Sequence, residues 1–427
     1  MRQATSLERQ LADTLSARRK KSKLRILKSS PHGSVDFSSN DFLSLATTPE
    51  FRRDYLNELE SQNLPVGSTA SRLLDGNSEY AETLERRIAR FHGAECGLLV
   101  NSGFDANVSI FTCLPQAGDV IVYDELIHAS VHDGMRMSRA KTRLSFKHND
   151  IDDLKTKLEQ CLVTHPTNNV FVSVESVYSM DGDLAPLAEI AALIEQVFPE
   201  DRCYLVVDEA HSTAVYGQDG RGLVSALGLE DKVLVRLHTF GKAMASHGAI
   251  ILCSDTIRSY LLNYARPLIF TTFMSYPTLA GIKIAYDWLE QGRVNARTTH
   301  LFALIVHLHS ELKRIAHESS NNHQSHHEPG TFLVPAQCPE SPIFAVLMRE
   351  PRSMAEHCQR AGFIVRAVVH PTVPLGTERV RICLHAGNTF EQVDGLVACM
   401  DAWLRGHRSN STPLMKDGQI ALLPSKL

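Results

Sequence analysis

Four short segments carry residue types whose chemistry fits together. Thr239-Phe240-Gly241-Lys242 follows an apolar run, and a lysine at a strand end beside a glycine reaches into a cleft with little crowding. It is not a Walker A loop, because the glycine required upstream is missing. Val207-Asp208-Glu209-Ala210-His211 also closes an apolar run, and Asp208 lies 34 residues before Lys242. An acid at the carboxyl edge of a parallel sheet sits where α/β proteins bind ligands. Its charge would hold a pyridine nitrogen protonated and make that ring an electron sink. The same Asp/Glu/His grouping also suits a metal trio, and the segment by itself leaves both readings open. Asn101-Ser102-Gly103-Phe104, between a strand and a helix, reads as a phosphate cradle of backbone N–H groups or as a plain helix cap. His128-Ala129-Ser130 offers an imidazole to stack on an aromatic ring, or a cap or core histidine.

The elements that must position these residues follow from periodicity. Tyr80 to Phe91 has Leu84, Ile88 and Phe91 at helical spacing. Cys96–Val100, Val120–Tyr123, Val170–Val174, Tyr204–Val207, Val233–Leu237 and Ala249–Cys253 are continuous apolar runs. Such runs suit strands buried on both faces of a sheet, and their alternation with helices predicts an α/β architecture, mostly parallel. Ala280–Leu289 and His300–Ala316 read as long helices, and Ile343–Met348 and Val380–Leu384 as strands. The expected organisation is an N-terminal arm over 1–50 and a large sheet domain over 51–289. A smaller C-terminal α/β domain over 290–408 and a flexible tail over 409–427 complete it. The stretch Glu318–Gly330 holds His323, His326 and His327 and is expected to be a polar surface insertion rather than a metal site.

Composition narrows the class. The 427 residues are 43% hydrophobic and 22% charged, with a net charge of -4. This is a soluble globular balance that argues against nucleic-acid binding. Nine scattered cysteines without a Cys-x-x-Cys pair point to a reducing compartment and no structural zinc. No apolar run approaches the roughly 18 residues of a membrane span, and the beginning lacks a signal-peptide layout. Arg18 to Lys28 carries seven basic residues, read as a solvated helix face. The final Ser425-Lys426-Leu427 matches a peroxisomal address read by an import receptor.

Taken in order, these segments resemble the α-oxoamine synthase family of fold-type I pyridoxal 5'-phosphate (PLP) enzymes. The likeness runs from Phe37 to about Leu396. It includes Ser39-Asn40-Asp41-Phe42-Leu43, Ser71-Arg72-Leu73-Leu74, Glu175-Ser176-Val177-Tyr178-Ser179-Met180-Asp181-Gly182-Asp183, Phe270-Thr271-Thr272, Pro371-Thr372-Val373-Pro374 and Arg379-Val380-Arg381 beside the four segments above. The resemblance implies that Lys242 holds PLP as a Schiff base and later acts as base. It also implies that Asp208 pairs with the pyridine nitrogen and that His128 stacks on the ring. His211 and Ser179 would bond the phenolic oxygen region. Ser102, Gly103, Phe104 and Thr239, with Thr271 or Thr272 from a partner subunit, would hold the phosphate of a homodimer. Arg381, with Asn40 nearby, would grip the carboxylate of the amino acid. The Phe37–Asp41 and His370–Thr377 stretches resemble the biotin-pathway branch most. That branch condenses L-alanine with pimeloyl-CoA and releases CoA and CO2; another amino acid or acyl-CoA is the alternative. An inert regulatory subunit is disfavoured because Lys242 is present. Ser44, Ser212 and Met244-Ala245-Ser246 replace glycines usual in the family, so a different backbone is expected there.

Overall fold

The computed structural model describes residues 4–21, 24–27, 29–199, 201–321 and 332–408. The His323, His326 and His327 cluster and the Ser425–Leu427 tripeptide lie outside the described residues. The chain divides into a unit over Met1–Ser34 and a unit over Val35–Leu427. The first contains the helix Ser6–Lys20, which opens on a capping box: Thr5 accepts from the Glu8 backbone and Glu8 from the Thr5 backbone.

The second unit is built around a seven-stranded sheet. With β1 as Val35–Asp36, its strands are β2 (Cys96–Val100), β3 (Val120–Asp124), β4 (Thr142–Phe146), β5 (Val170–Glu175), β6 (Cys203–Asp208), β7 (Val233–Thr239) and β8 (Ala249–Cys253). The spatial order is β2-β8-β7-β6-β5-β3-β4. β3 to β7 pair in parallel, while β8 runs antiparallel to both β2 and β7. β5 and β8 are buried along their whole length, as a sheet covered on both faces requires. β4, whose Thr-Arg-Leu-Ser-Phe sequence lacks a continuous apolar run, is a half-exposed edge strand. The flanking helix Glu79–Phe91 turns Ala81, Leu84, Ile88 and Phe91 inward. Leu84, Ile88 and Phe91 each contribute roughly 1.5–3 kcal/mol on burial. Glu85 is buried on the same face, where Arg72 forks onto its two oxygens and Arg258 and the Leu99 N–H add donors.

The remaining strands are β9 (Ile343–Leu347), β10 (Phe363–Ile364), β11 (Arg366–Val368) and β12 (Arg379–Cys383). β11, β12 and β9 form an antiparallel sheet beside the helices Pro351–Arg360 and Phe390–Arg408. Residues 35–44 are strapped to this part. β1 pairs with β10, Phe37 N–H donates to Ile364 O at 2.9 Å, and its carbonyl accepts from Cys383 N at 2.8 Å. The strap therefore lays Asn40 beside Arg381 of β12.

The glycine replacements do not relax the chain. Ser44 and Ala245 hold left-handed backbone, at φ 54° and 50°, a conformation that non-glycine residues adopt rarely. Ser44 is secured by its hydroxyl, which accepts from Gly387 N at 2.8 Å, and by its carbonyl, which accepts from Thr48 Oγ1 at 2.6 Å. Ser212 takes ordinary backbone, and the left-handed residue in its turn is Ala214.

Candidate active site

A cavity of about 360 Å³ opens where β5, β6 and β7 end and β8 begins, the ligand-binding edge of open α/β sheets. It gathers Asn40, Ser102, Gly103, Phe104, His128, Ser179, Asp208, His211, Thr239, Lys242 and Arg381. All of these were singled out in the sequence. Thr271 and Thr272 do not line it; both are exposed, and Thr272 is tied to Ser71 by a β-bridge and through its carbonyl to the Asn101 amide at 2.7 Å.

Lys242 follows β7 on a turn closed by Ala245 N–H to Lys242 O and Ser246 N–H to Phe240 O. Its side chain makes no hydrogen bond or ion pair with the described residues. Burial pushes its ammonium below the usual lysine range, against the opposing pull of Asp208 and Glu175. A lysine whose pKa is lowered by burial and whose amine is unbound among the described residues is suited to act as nucleophile and base.

Asp208 ends β6. Its Oδ1 accepts from Ala210 N at 2.9 Å and its Oδ2 from Asn107 Nδ2 at 2.8 Å. Asn107 also donates to Ser130 Oγ at 3.0 Å, and Ser130 Oγ lies 2.7 Å from His128 Nδ1. Nδ1 accepts from Ser130 N at 3.2 Å and so carries no proton, and the Ser130 hydroxyl, itself accepting from Asn107, donates to it. This assignment places the His128 proton on Nε2. Burial lowers the imidazole's pKa, partly offset by Asp208. His128 is therefore both the cap of the helix Ala129–Met137 and a cavity residue, so the two readings of it coexist.

His211 is buried, and its Nδ1 has no hydrogen-bond partner among the described residues. Burial, then Lys242 and Arg381, hold it well below the usual imidazole range. Glu209, between Asp208 and His211, turns away: Oε1 accepts from Val224 N at 2.7 Å and Oε2 lies 3.3 Å from His238 Nε2. The Asp/Glu/His grouping thus does not converge, and the metal-trio alternative fails on geometry. Arg381 donates through Nε to Ser179 O at 2.7 Å and through Nη2 to Asn40 Oδ1 at 3.0 Å, which fixes its planar fork at the cavity wall.

Ser102 caps the helix Gly103–Cys113 by accepting from Asp105 N at 3.0 Å, so the first turn's N–H groups face the cavity with the helix dipole behind them. A Cβ on Gly103 would lie 2.6 Å from Thr239 Cγ2. Only a glycine leaves backbone and threonine hydroxyl on the same small cup.

Asn107, Glu175, Met180, Ala210, Gly241, His247 and Gly248, to which the sequence reading gave no role, also line the cavity; two of them matter to its chemistry. Asn107 stands one helical turn after Gly103, the one signal that could have found it. Glu175 is the register partner of Asp208, and burial plus the Asp208 charge raise its carboxyl well above the usual range.

These features fit PLP. An anion cup, a carboxylate aimed into a buried pocket, an imidazole with an orphaned nitrogen and an unbound lysine are the partners of a phosphate, a ring nitrogen, a phenolic oxygen and an aldehyde. Comparison with known proteins agrees. A chain segment of 390 residues is 50% identical to an 8-amino-7-oxononanoate synthase of Emericella nidulans, covering 90% of this chain and 92% of that protein. An aminoacyl transferase, sphA, of Aspergillus fumigatus is 39% identical over 417 residues, 94% of this chain and 88% of that one. A serine palmitoyltransferase from S. paucimobilis, solved with a bound PLP–myriocin aldimine, superposes with a TM-score of 0.81 over 96% of this chain and all of that one at 22% identity. An 8-amino-7-oxononanoate synthase from Francisella tularensis gives a TM-score of 0.69 at 23% identity, over 88% and 100%. The aminotransferase class I and II model matches residues 33–399, and the chain accordingly belongs to that family, as a PLP-dependent acyltransferase of fold type I.

Proposed function

We propose that this chain condenses L-alanine with pimeloyl-CoA to give 8-amino-7-oxononanoate, CoA and CO2. The observation that carries the reading is the meeting of Lys242, Asp208, His211 and Arg381 around one cavity, together with 50% identity to a relative named for that product. PLP, when bound, accepts the electron pair left at the amino acid's Cα as a proton or CO2 departs. Lys242 would attach it, Asp208 would keep its ring nitrogen protonated, and the Ser102–Phe104 turn with Thr239 would hold its phosphate. His128 would lie against the ring, and His211 and Ser179 beside its phenolic oxygen.

Arg381 and Asn40 orient the substrate carboxylate, the group later lost as CO2. Lys242 Nζ, freed once the amino acid is bound, takes the Cα proton; its lowered pKa makes the neutral amine available. The carbon then attacks the thioester carbonyl, the C–S bond breaks and CoA leaves as the thiolate, which water protonates. After CO2 is lost, a proton returns to the same carbon. A different amino acid or acyl-CoA, such as glycine with acetyl-CoA, is the second reading, kept because the 39% identical relative is named an aminoacyl transferase and not for that product. CoA release and product mass across a panel of amino acids and acyl-CoAs test the assignment; no turnover of alanine with pimeloyl-CoA refutes it. Reductive trapping should place the cofactor on Lys242, and Lys242→Ala should abolish it.

Two further parts of the reading are proposals. The enzyme is a homodimer in which Thr271 or Thr272 of a second copy completes the phosphate site, supported by their exposure off the cavity beside exposed Phe270, Leu73 and Leu74. Mixing inactive Lys242→Ala and Thr272→Ala chains should then restore activity. Ser425-Lys426-Leu427 supports peroxisomal targeting; deleting it should turn a punctate fluorescent N-terminal fusion diffuse, and a diffuse full-length fusion refutes the address.

A further inference from the structure

His148 is absent from the cavity and from every role assigned above. It follows β4 on the turn before the helix Ile151–Thr164. Its Nδ1 lies 2.9 and 3.0 Å from the two carboxylate oxygens of Asp124, and its Nε2 2.6 Å from Oδ2 of Asp183. The edge of the ring meets Tyr178 at 4.4 Å between centroids. A neutral imidazole has one N–H, whereas here both nitrogens face carboxylate oxygens, which accept only; the Asn149 amide also lies 3.4 Å from Nε2, but Asp183 Oδ2, at 2.6 Å, is the closer partner. Those oxygens are occupied as acceptors elsewhere too: Asp124 takes Leu126 N at 2.8 Å and Asn149 N at 2.9 Å, and Asp183 takes Asn149 Nδ2 at 2.8 Å. The geometry calls for an imidazolium.

The two carboxylates belong to the two segments that flank the cavity. Asp124 ends β3 and, through Leu126 N, shapes the turn that delivers His128. Asp183 lies on the loop after β5 that carries Ser179 and Met180; its carbonyl accepts from Tyr178 N at 3.0 Å. We infer that His148 is a positioning residue whose imidazolium clamps the His128 turn to the Ser179 loop and so sets their separation across the cavity. The inference rests on the reading that PLP occupies this cavity.

Burial works against the charge, but the bonds to Asp124 and Asp183 outweigh it and raise the ring's pKa to about 10. Around it, Glu125 accepts from the His148 backbone N–H at 3.2 Å; Lys147, Asp150 and Asp153 share its turn and helix start, and Tyr178 and Glu175 lie on β5 and its loop. This setting is net acidic and favours the cation. A pKa raised on folding contributes stability that is complete below the unfolded value near 6.5 and lost as pH rises through about 10. The clamp therefore stays closed through neutrality. Removing one carboxylate in Asp183→Asn should lower the pH at which it opens.

The test uses the holoenzyme with 15N-labelled histidine. At about pH 8 both ring nitrogens of His148 should carry protons, with the signal identified by its loss in His148→Gln. In His148→Gln and in Asp183→Asn, the pH midpoint of the bound cofactor's visible absorption should shift, and kcat should fall by about ten- to a hundredfold with the acyl-CoA KM little changed, as for loss of orientation. His307→Gln, which breaks the remote pair with Asp394, should leave spectrum and kcat as in the wild type. A neutral His148 ring in the wild type overturns the clamp. So do variants that melt earlier yet keep the wild-type spectrum and kcat. Wild-type protein that binds no PLP would instead sink the cavity reading, and the positioning role with it, while the nitrogen signals still report the ring's charge.

Discussion

Replacing Gly103 by alanine probes the phosphate cup with one carbon atom. The new Cβ would stand 2.6 Å from Thr239 Cγ2, whereas carbons rest at about 3.5–4.0 Å. Thr239 or the Ser102–Phe104 turn must therefore yield by roughly 1 Å. A misplacement of that size costs on the order of a hundredfold, about 2.7 kcal/mol. Alanine at the start of a helix is otherwise harmless, so the loss should appear in cofactor affinity and not in the stability of the apoprotein. Equilibrium titration of apoprotein with PLP, followed by visible absorbance, should show the dissociation constant raised by that factor. Serine keeps the Thr239 hydroxyl and deletes the methyl that collides. Gly103→Ala with Thr239→Ser should therefore recover most of the affinity, although Thr239→Ser alone gains nothing. Wild-type affinity in the single variant, or no recovery in the double, would refute the cup as drawn.

Asp208→Asn should retain bound PLP but lose roughly two to three powers of ten in kcat, the size seen when one preorganised electrostatic group is removed; near-normal turnover would end the ring-nitrogen role. Arg381→Lys cannot bond Ser179 O and Asn40 and also fork onto a carboxylate, so the KM for the amino acid should rise far more than that for the acyl-CoA, and equal changes would mark Arg381 as structural. Arg72→Ala leaves the buried Glu85 without its fork, and chemical denaturation should show a loss of about 3–5 kcal/mol, with Arg258 at 3.1 Å limiting the damage.

The parallel strands were legible because burial on both faces demands unbroken apolar runs, and the site was legible because its residues cluster at the ends of those runs. Three kinds of feature were not. β8 reads Ala-Ile-Ile-Leu-Cys, and a strand buried on both faces looks the same in either direction. β4 is half-exposed and carries Arg and Ser, so nothing apolar announces it. The pairing of β1 with β10 involves two residues each and joins segments more than 300 positions apart, with no periodicity to betray it. Within the site, Asn107 looked like any polar residue of a helix, because its meaning depends on Asp208 and Ser130 arriving from other strands. Glu209 and His211 show the same limit. They are two residues apart, yet the turn after β6 sends one to His238 and the other into the cavity.

The strap that lays Asn40 against Arg381 fixes the order in which a ribosome can finish this enzyme. Asn40 leaves the exit tunnel among the first residues, but its partner is 341 positions later. Every strand of the seven-stranded sheet, and Lys242 itself, has been synthesised by Cys253. From Lys242 to Arg381 the ribosome needs roughly 7–28 s at about 5–20 residues per second. During that interval a nascent chain can assemble the cofactor end of the cavity while the carboxylate grip is still missing. On the proposed roles, a half-made molecule would carry Lys242 and Asp208 for PLP without Arg381 to seize an amino acid, and the last strand to be translated would be what arms it.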